Sequence, residues 1–185
     1  SNNGTNCNSL LQASLACGSS FCGTTGYTTV VTTQAEVDAL AGCTAFLGSL
    51  TIDNDQNNIS NLDSVANLQS VSEDLHLTNF HYAPIDFPFY NLGSTYKLTI
   101  DYSNIDKLLF PSLGGVSSSL TIRQCTLDSL NFEGMGGMGG SVNNGGIFIE
   151  NNGEHNGYTN NFSLHTFNNL GNIGNACSIN INSNF

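Results

Sequence analysis

A five-residue pattern in which two Leu or Ile positions alternate with three other residues recurs six times along the chain. The copies are Ser49-Leu50-Thr51-Ile52-Asp53, Asp74-Leu75-His76-Leu77-Thr78, Lys97-Leu98-Thr99-Ile100-Asp101, Ser119-Leu120-Thr121-Ile122-Arg123, Gly146-Ile147-Phe148-Ile149-Glu150 and Ser178-Ile179-Asn180-Ile181-Asn182. They are spaced by 25, 23, 22, 27 and 32 residues. Alternation with period two is the signature of a strand buried on one face. Repetition at roughly 20–50 residues means that each unit buries its apolar edge against its neighbours rather than against itself.

The segments between strands carry a second apolar pattern. It reads Ile59, Leu62, Val65, Leu68, Val71 after the first strand, Ile105, Leu108, Phe110, Leu113, Val116 after the third, and Leu164, Phe167, Leu170, Ile173 after the fifth. Asn, Ser, Asp and Gly fill the gaps and suit tight corners. The expected fold is all-β: a parallel β-solenoid of about six rungs. Its inward columns would be Leu50, Leu75, Leu98, Leu120, Ile147, Ile179 and Ile52, Leu77, Ile100, Ile122, Ile149, Ile181. The outward column between them would be Thr51, His76, Thr99, Thr121, Phe148, Asn180. Leucine-rich repeats compete for the same pattern, but their backs are usually helical. The backs here hold Gly, Pro, Asn and Phe. One helix is expected, where Thr33-Gln34-Ala35-Glu36 forms a capping box and Gly42 follows as a stop. It runs over Gln34–Ala41 and would cover the first rung. Ser9–Ala16 is a second short helical candidate. Residues 134–140 and 151–160 read as loops. The expected organisation is an N-terminal extension over 1–21 and a solenoid over 22–185.

The 185 residues include 3 Lys and Arg against 14 Asp and Glu, for a net charge of −11. No surface of that charge follows nucleic-acid phosphates or an anionic membrane. No apolar run approaches the roughly 18 residues of a membrane span. With 27 Asn and 20 Gly, the chain is solubilised by amides and hydroxyls rather than by Lys and Glu. No leader is recognisable, so Ser1 is expected to be a mature or cut N-terminus. Six Cys (7, 17, 22, 43, 125 and 177) and three N-x-S/T sequons at Asn3, Asn58 and Asn161 point to an oxidising, extracellular location. No Cys or His spacing suits zinc.

The run from Cys22 through Gln34–Ala41 to Cys43, followed by "TAFLGSLTI" over 44–52, resembles the start of a receptor L domain, the β-helical lobe of insulin and EGF receptors. The stretch "FPSLGGVSSSLTI" over 110–122 is similar to rungs of the L domains in fungal GPI-anchored cell-wall proteins. The resemblance covers roughly Cys22 to Phe185. It implies a right-handed coil, a capping helix between two cysteines and a Cys22–Cys43 disulfide. Residues 1–21, with Cys7 and Cys17, have no counterpart in that family, and neither does the Gly/Met run. Cys7–Cys17 is expected as a second disulfide. Cys125 and Cys177 would lie two rungs, about 10 Å, apart, beyond a disulfide's Cα separation, so their state stays open.

The residues bear on several chemistries. A carbohydrate-active site would need clustered carboxylates with a cation. Asp101, Arg123 and Glu150 would sit on successive rungs, in a column with Asp53, Thr78 and Asn182. Such a column also describes a surface ion-pair ladder on an exposed sheet, the preferred reading. Asp53-Asn54-Asp55 matches half a calcium loop without its downstream Gly and Glu. The Thr51, Thr99, Thr121 column suggests ice binding but is interrupted by His76 and Phe148. His76, His81, His155 and His165 show no ligand spacing. Phe80, Tyr82, Phe89 and Tyr90 are a candidate contact surface, with Phe87 and Phe89 also suited to the core. The chain stops at Phe185 soon after the sixth strand, so the expectation is either that a longer chain is cut there or that a neighbouring copy covers that end, and the second option favours head-to-tail filaments. The expectation is therefore a secreted, non-catalytic structural protein of a cell surface, wall or fibril. It would need no cofactor or metal, and would associate with itself or with surface proteins and glycans. The alternatives are an extracellular recognition module and, more remotely, a carbohydrate-active enzyme.

Overall fold

The computed structural model describes residues 21–81, 86–131 and 146–150, and the backbone of short strands at 154–155, 158–159, 163–165 and 178–182. In chain order these form β1 (Phe21–Val31), α1 (Gln34–Asp38), β2 (Ala45–Asp53), β3 (Ser70–Thr78), β4 (Ser94–Asp101), β5 (Asn104–Leu109), β6 (Gly115–Val116) and β7 (Ser119–Arg123). They continue with β8 (Thr126–Asn131), β9 (Gly146–Glu150), β10 (Glu154–His155), β11 (Tyr158–Thr159), β12 (Ser163–His165) and β13 (Ser178–Asn182).

The main sheet has eight strands, ordered β1-β2-β3-β4-β7-β9-β13 with β6 beside β4. Every pairing in it is parallel. A second parallel sheet runs β12-β8-β5. The chain winds between the two as a β-solenoid of about four turns. The register follows the repeat. Leu50, Leu75, Leu98, Leu120, Ile147 and Ile179 are successive Cα partners, and so are Ile52, Leu77, Ile100, Ile122, Ile149 and Ile181. Leu50, Leu75, Leu98 and Leu120 are completely buried, as are Ile52, Leu77, Ile100, Ile122 and Ile149. A third inward column, Phe46, Val71, Thr95, Val116, continues them upstream. A one-residue slip would turn all three columns to solvent, which fixes the register.

The inter-strand apolar positions fill the space behind the sheet. Ile59, Leu62, Val65 and Leu68 are buried, and so are Ile105, Leu108, Phe110 and Leu113. The later series Leu164, Phe167, Leu170, Ile173 lies outside the described residues. The corner that follows Thr78, Asp101 and Arg123 is built the same way on three strands. Asn79, Tyr102 and Gln124 each take a left-handed backbone, with φ of 66°, 47° and 53°. Their amides donate to the next strand, Asn79 N to Asp101 O, Tyr102 N to Arg123 O and Gln124 N to Glu150 O. The following residues, Phe80, Ser103 and Cys125, turn into the interior.

α1 is shorter than expected, ending at Asp38, but its capping box is formed. Val37 and Leu40 are buried, and the helix docks on the segment after β2. Gln34 N donates to Asn58 O (3.0 Å) and Ser64 Oγ to Asp38 Oδ1 (3.3 Å). Ahead of it, β1 is a strand where no strand was expected. The 151–160 stretch, expected as a loop, carries an antiparallel pair, β10 with β11. Ser9–Ala16 and the 134–140 run lie outside the described residues.

Candidate functional site

Along the outer face of the main sheet, the third column runs Asp53, Thr78, Asp101, Arg123, Glu150, Asn182. Its centre is Asp101 on β4. Arg123, its partner on β7, donates from Nη2 to Asp101 Oδ2 at 3.0 Å and from Nε at 3.3 Å. His76 on β3 sits opposite Thr99, two residues before Asp101 on the same face, and reaches diagonally, with Nε2 3.0 Å from Asp101 Oδ1. Both oxygens are therefore occupied from different strands, and Thr78 adds a hydrogen bond from the same row. The lid of side chains leaves the Asp101 side chain 3% exposed, while His76 and Arg123 stay open at 34% and 47%. Burial by itself would push the carboxyl up. The hydrogen bonds from His76, Thr78 and Arg123 outweigh it and hold the carboxyl at about 2.

Asp101 thus differs from the exposed ladder expected of it, because its neighbours on both sides fold over it. An ionised carboxylate with both oxygens engaged has no proton to donate at neutral pH and is a weak base. The Arg123 ion pair and the His76 contact converge on Asp101, and Glu150 joins the row through its backbone oxygen, which accepts from Gln124 N.

The other sequence-selected residues separate into several groups. Cys22 and Cys43 form a disulfide with a Cα separation of 5.8 Å. Cys7, Cys17 and Cys177 lie outside the described residues. Cys125 is buried at the corner after Arg123, and burial pushes its thiol up to about 12, far from a reactive thiolate. Phe80 and Phe89, offered as a contact surface, are instead core residues. Phe87 links them, edge-on to Phe80 at 5.7 Å and stacked with Phe89 at 6.5 Å. The reason is that the three rings pack on one another in the interior. Tyr90 is exposed, and Tyr82 lies outside the described residues. Asp53-Asn54-Asp55 is a turn in which Asp53 Oδ1 accepts from Asp55 N and Asn79 Nδ2, while Asn54 faces inward. In the threonine column, Thr99 is buried and His76 stands between it and Thr51. Asn58 is exposed, and Asn3 and Asn161 lie outside the described residues.

A second outer-face feature was not anticipated. The pairing of β1 with β2 shifts between Gly23 and Thr28, so residues 24–27 leave the ladder. They cross over β2 and reach β3, where Gly26 N donates to Glu73 Oε1 at 2.7 Å. Ser49 Oγ holds the other Glu73 oxygen at 3.1 Å. The crossing point is Gly48, with φ of 87°, where a Cβ would collide with the Thr24 and Tyr27 carbonyl oxygens. This strap carries Tyr27, 67% exposed, on a sheet that also exposes Phe21, Val30, Leu47 and Tyr96. The outward parity of Leu47 in its strand was the one signal in the sequence that pointed to this patch.

Comparison of the chain with protein-family models, curated proteins and solved structures found no match.

Proposed function

We propose that this chain is a secreted, non-catalytic structural protein of a cell surface, cell wall or extracellular fibril, built as a right-handed, L-domain-like coil of about six rungs. The observation that carries the reading is the state of Asp101. Among the described residues, the carboxylate cluster suited to acid–base work holds β3, β4 and β7 together and is already ionised and occupied. Six repeat strands pairing in succession support the rung count. The disulfide supports an oxidising compartment. The helix between Cys22 and Cys43 supports the L-domain likeness.

Self-association follows from the sheet. Among the described residues, β1 and β13 are its two ends, and all its pairings are parallel. A β13 edge meeting the β1 edge of another copy would extend the same ladder head to tail, a contact that does not close. The net charge of −11 opposes it, so assembly should strengthen with salt as the repulsion is screened.

Location is tested by antibody labelling. The chain should be detected on intact cells or in the medium, and detection only after permeabilisation would refute the reading. A second reading, a recognition module for a protein or glycan, is favoured by the exposed Tyr27, Leu47 and Tyr96 on the outer face. It predicts a glycan-array or pull-down signal that Tyr27→Ser with Tyr96→Ser abolishes. A signal unaffected by both changes would count against it.

A further inference from the structure

We propose that Asn58 carries an N-linked glycan and that the glycan is attached before the segment around it docks on α1. The inference rests on the extracellular reading above.

The sequon Asn58-Ile59-Ser60 sits on a loop built to display its first residue. Asn54 is buried and clamps Ile59 through both ends of its amide, Oδ1 accepting from Ile59 N at 2.8 Å and Nδ2 donating to Ile59 O at 3.2 Å. Asn57, with φ of 54°, closes the turn by donating its N–H to Asn54 O at 2.9 Å. Ile59 is anchored in the core, and residues 55–58 are all exposed. A sugar on Asn58 Nδ2 would therefore project into water and displace nothing from the interior.

The same geometry ties down the rest of the sequon, although Ser60 stays exposed. Gln34 at the start of α1 donates its N–H to Asn58 O, and its Oε1 accepts from Ser60 N (2.8 Å), Ser60 Oγ (3.1 Å) and Asn61 N (3.1 Å). The hydroxyl two residues after the Asn is what a glycosyl-transferring enzyme reads. In the folded chain that hydroxyl and the flanking amides are bound to Gln34, and the backbone is fixed. Transfer must precede that contact. In the step itself, Asn58 Nδ2 bonds to the anomeric carbon of a lipid-pyrophosphate-linked oligosaccharide. The carbon–oxygen bond to pyrophosphate breaks, the lipid pyrophosphate leaves, and the amide nitrogen loses one proton.

The test routes the chain through a eukaryotic secretory pathway with a cleavable leader and maps peptides after enzymatic deglycosylation in heavy-oxygen water. Asn58 is expected to be converted to labelled Asp, and Asn58→Gln to lose one glycan from the intact mass. Timing is tested with glycan-free protein, a purified oligosaccharyltransferase and lipid-linked oligosaccharide. The folded, oxidised chain should be modified at Asn58 about tenfold or more slowly than the reduced, unfolded chain, and Gln34→Ala should narrow the gap. An unmodified Asn58 in leader-routed protein would overturn the site, and equal rates for folded and unfolded chains would overturn the order of events. Protein from its own source that is bare at Asn58, while leader-routed protein is filled there, would overturn the glycan on the natural chain, and antibody labelling of intact cells would separate that outcome from a failure of the extracellular reading.

Discussion

Replacing Asp101 by Asn keeps the shape of the side chain and removes the charge that joins three strands. The carboxyl lies at about 2 rather than its ordinary 3.8, a displacement equivalent to about 2.5 kcal/mol of folding stability at neutral pH. His76 and Arg123 are 34% and 47% exposed, so solvent screening reduces the expected contribution to about 1–2 kcal/mol. Its pH dependence has a fixed sign. As pH falls, the unfolded carboxyl protonates first, so the contribution is complete above 3.8, declines from there to about 2 and vanishes below. Urea unfolding at pH 7 should place Asp101→Asn about 1–2 kcal/mol below the natural chain with the slope m unchanged. Repeated in steps from pH 5 to pH 2, the difference between the two proteins should shrink toward zero, because the other carboxylates are common to both. Equal stability at pH 7, or a difference that is constant across the acid range, would refute the claim that Asp101 ties the strands together as an anion.

Three further outcomes follow from the packing. Leu98→Ala, in the middle of a fully buried column, should cost about 2–5 kcal/mol in denaturant unfolding, while Thr121→Ala on the outer face should stay within about 0.5 kcal/mol. Cys22→Ala with Cys43→Ala opens a loop of sequence separation 21, and should lower stability by about 3 kcal/mol. Gly48→Ala should cost about 1–3 kcal/mol through its left-handed backbone and, by lifting the strap, make the chain cleavable between Thr24 and Tyr27 in limited proteolysis. Resistance equal to that of the natural chain would mean the strap is not held at Gly48.

The columns were legible in the sequence because period two and a steady repeat specify both which side chains turn inward and which residues become neighbours. Asp101, Arg123 and Glu150 fell into one row on that ground alone. What alternation does not encode is how side chains lie across the face. His76 belongs to the adjacent column by parity and reaches Asp101 only diagonally, so the burial of Asp101 was not legible. β1 escaped because its ladder shifts at Gly23, and "GTTGYTT" over 23–29 has neither alternation nor an apolar column. Phe80 and Phe89 were misplaced because aromatic residues around two prolines, Pro84 and Pro88, read equally well as a surface or as filling, and only their packing in the fold decides.

Negative-stain electron microscopy of the natively purified protein, with light scattering across a salt series, tests the structural reading most directly. Linear assemblies that lengthen with salt are predicted, each copy continuing the sheet of the last. Discrete particles of 19.6 kDa at every concentration and salt would contradict it.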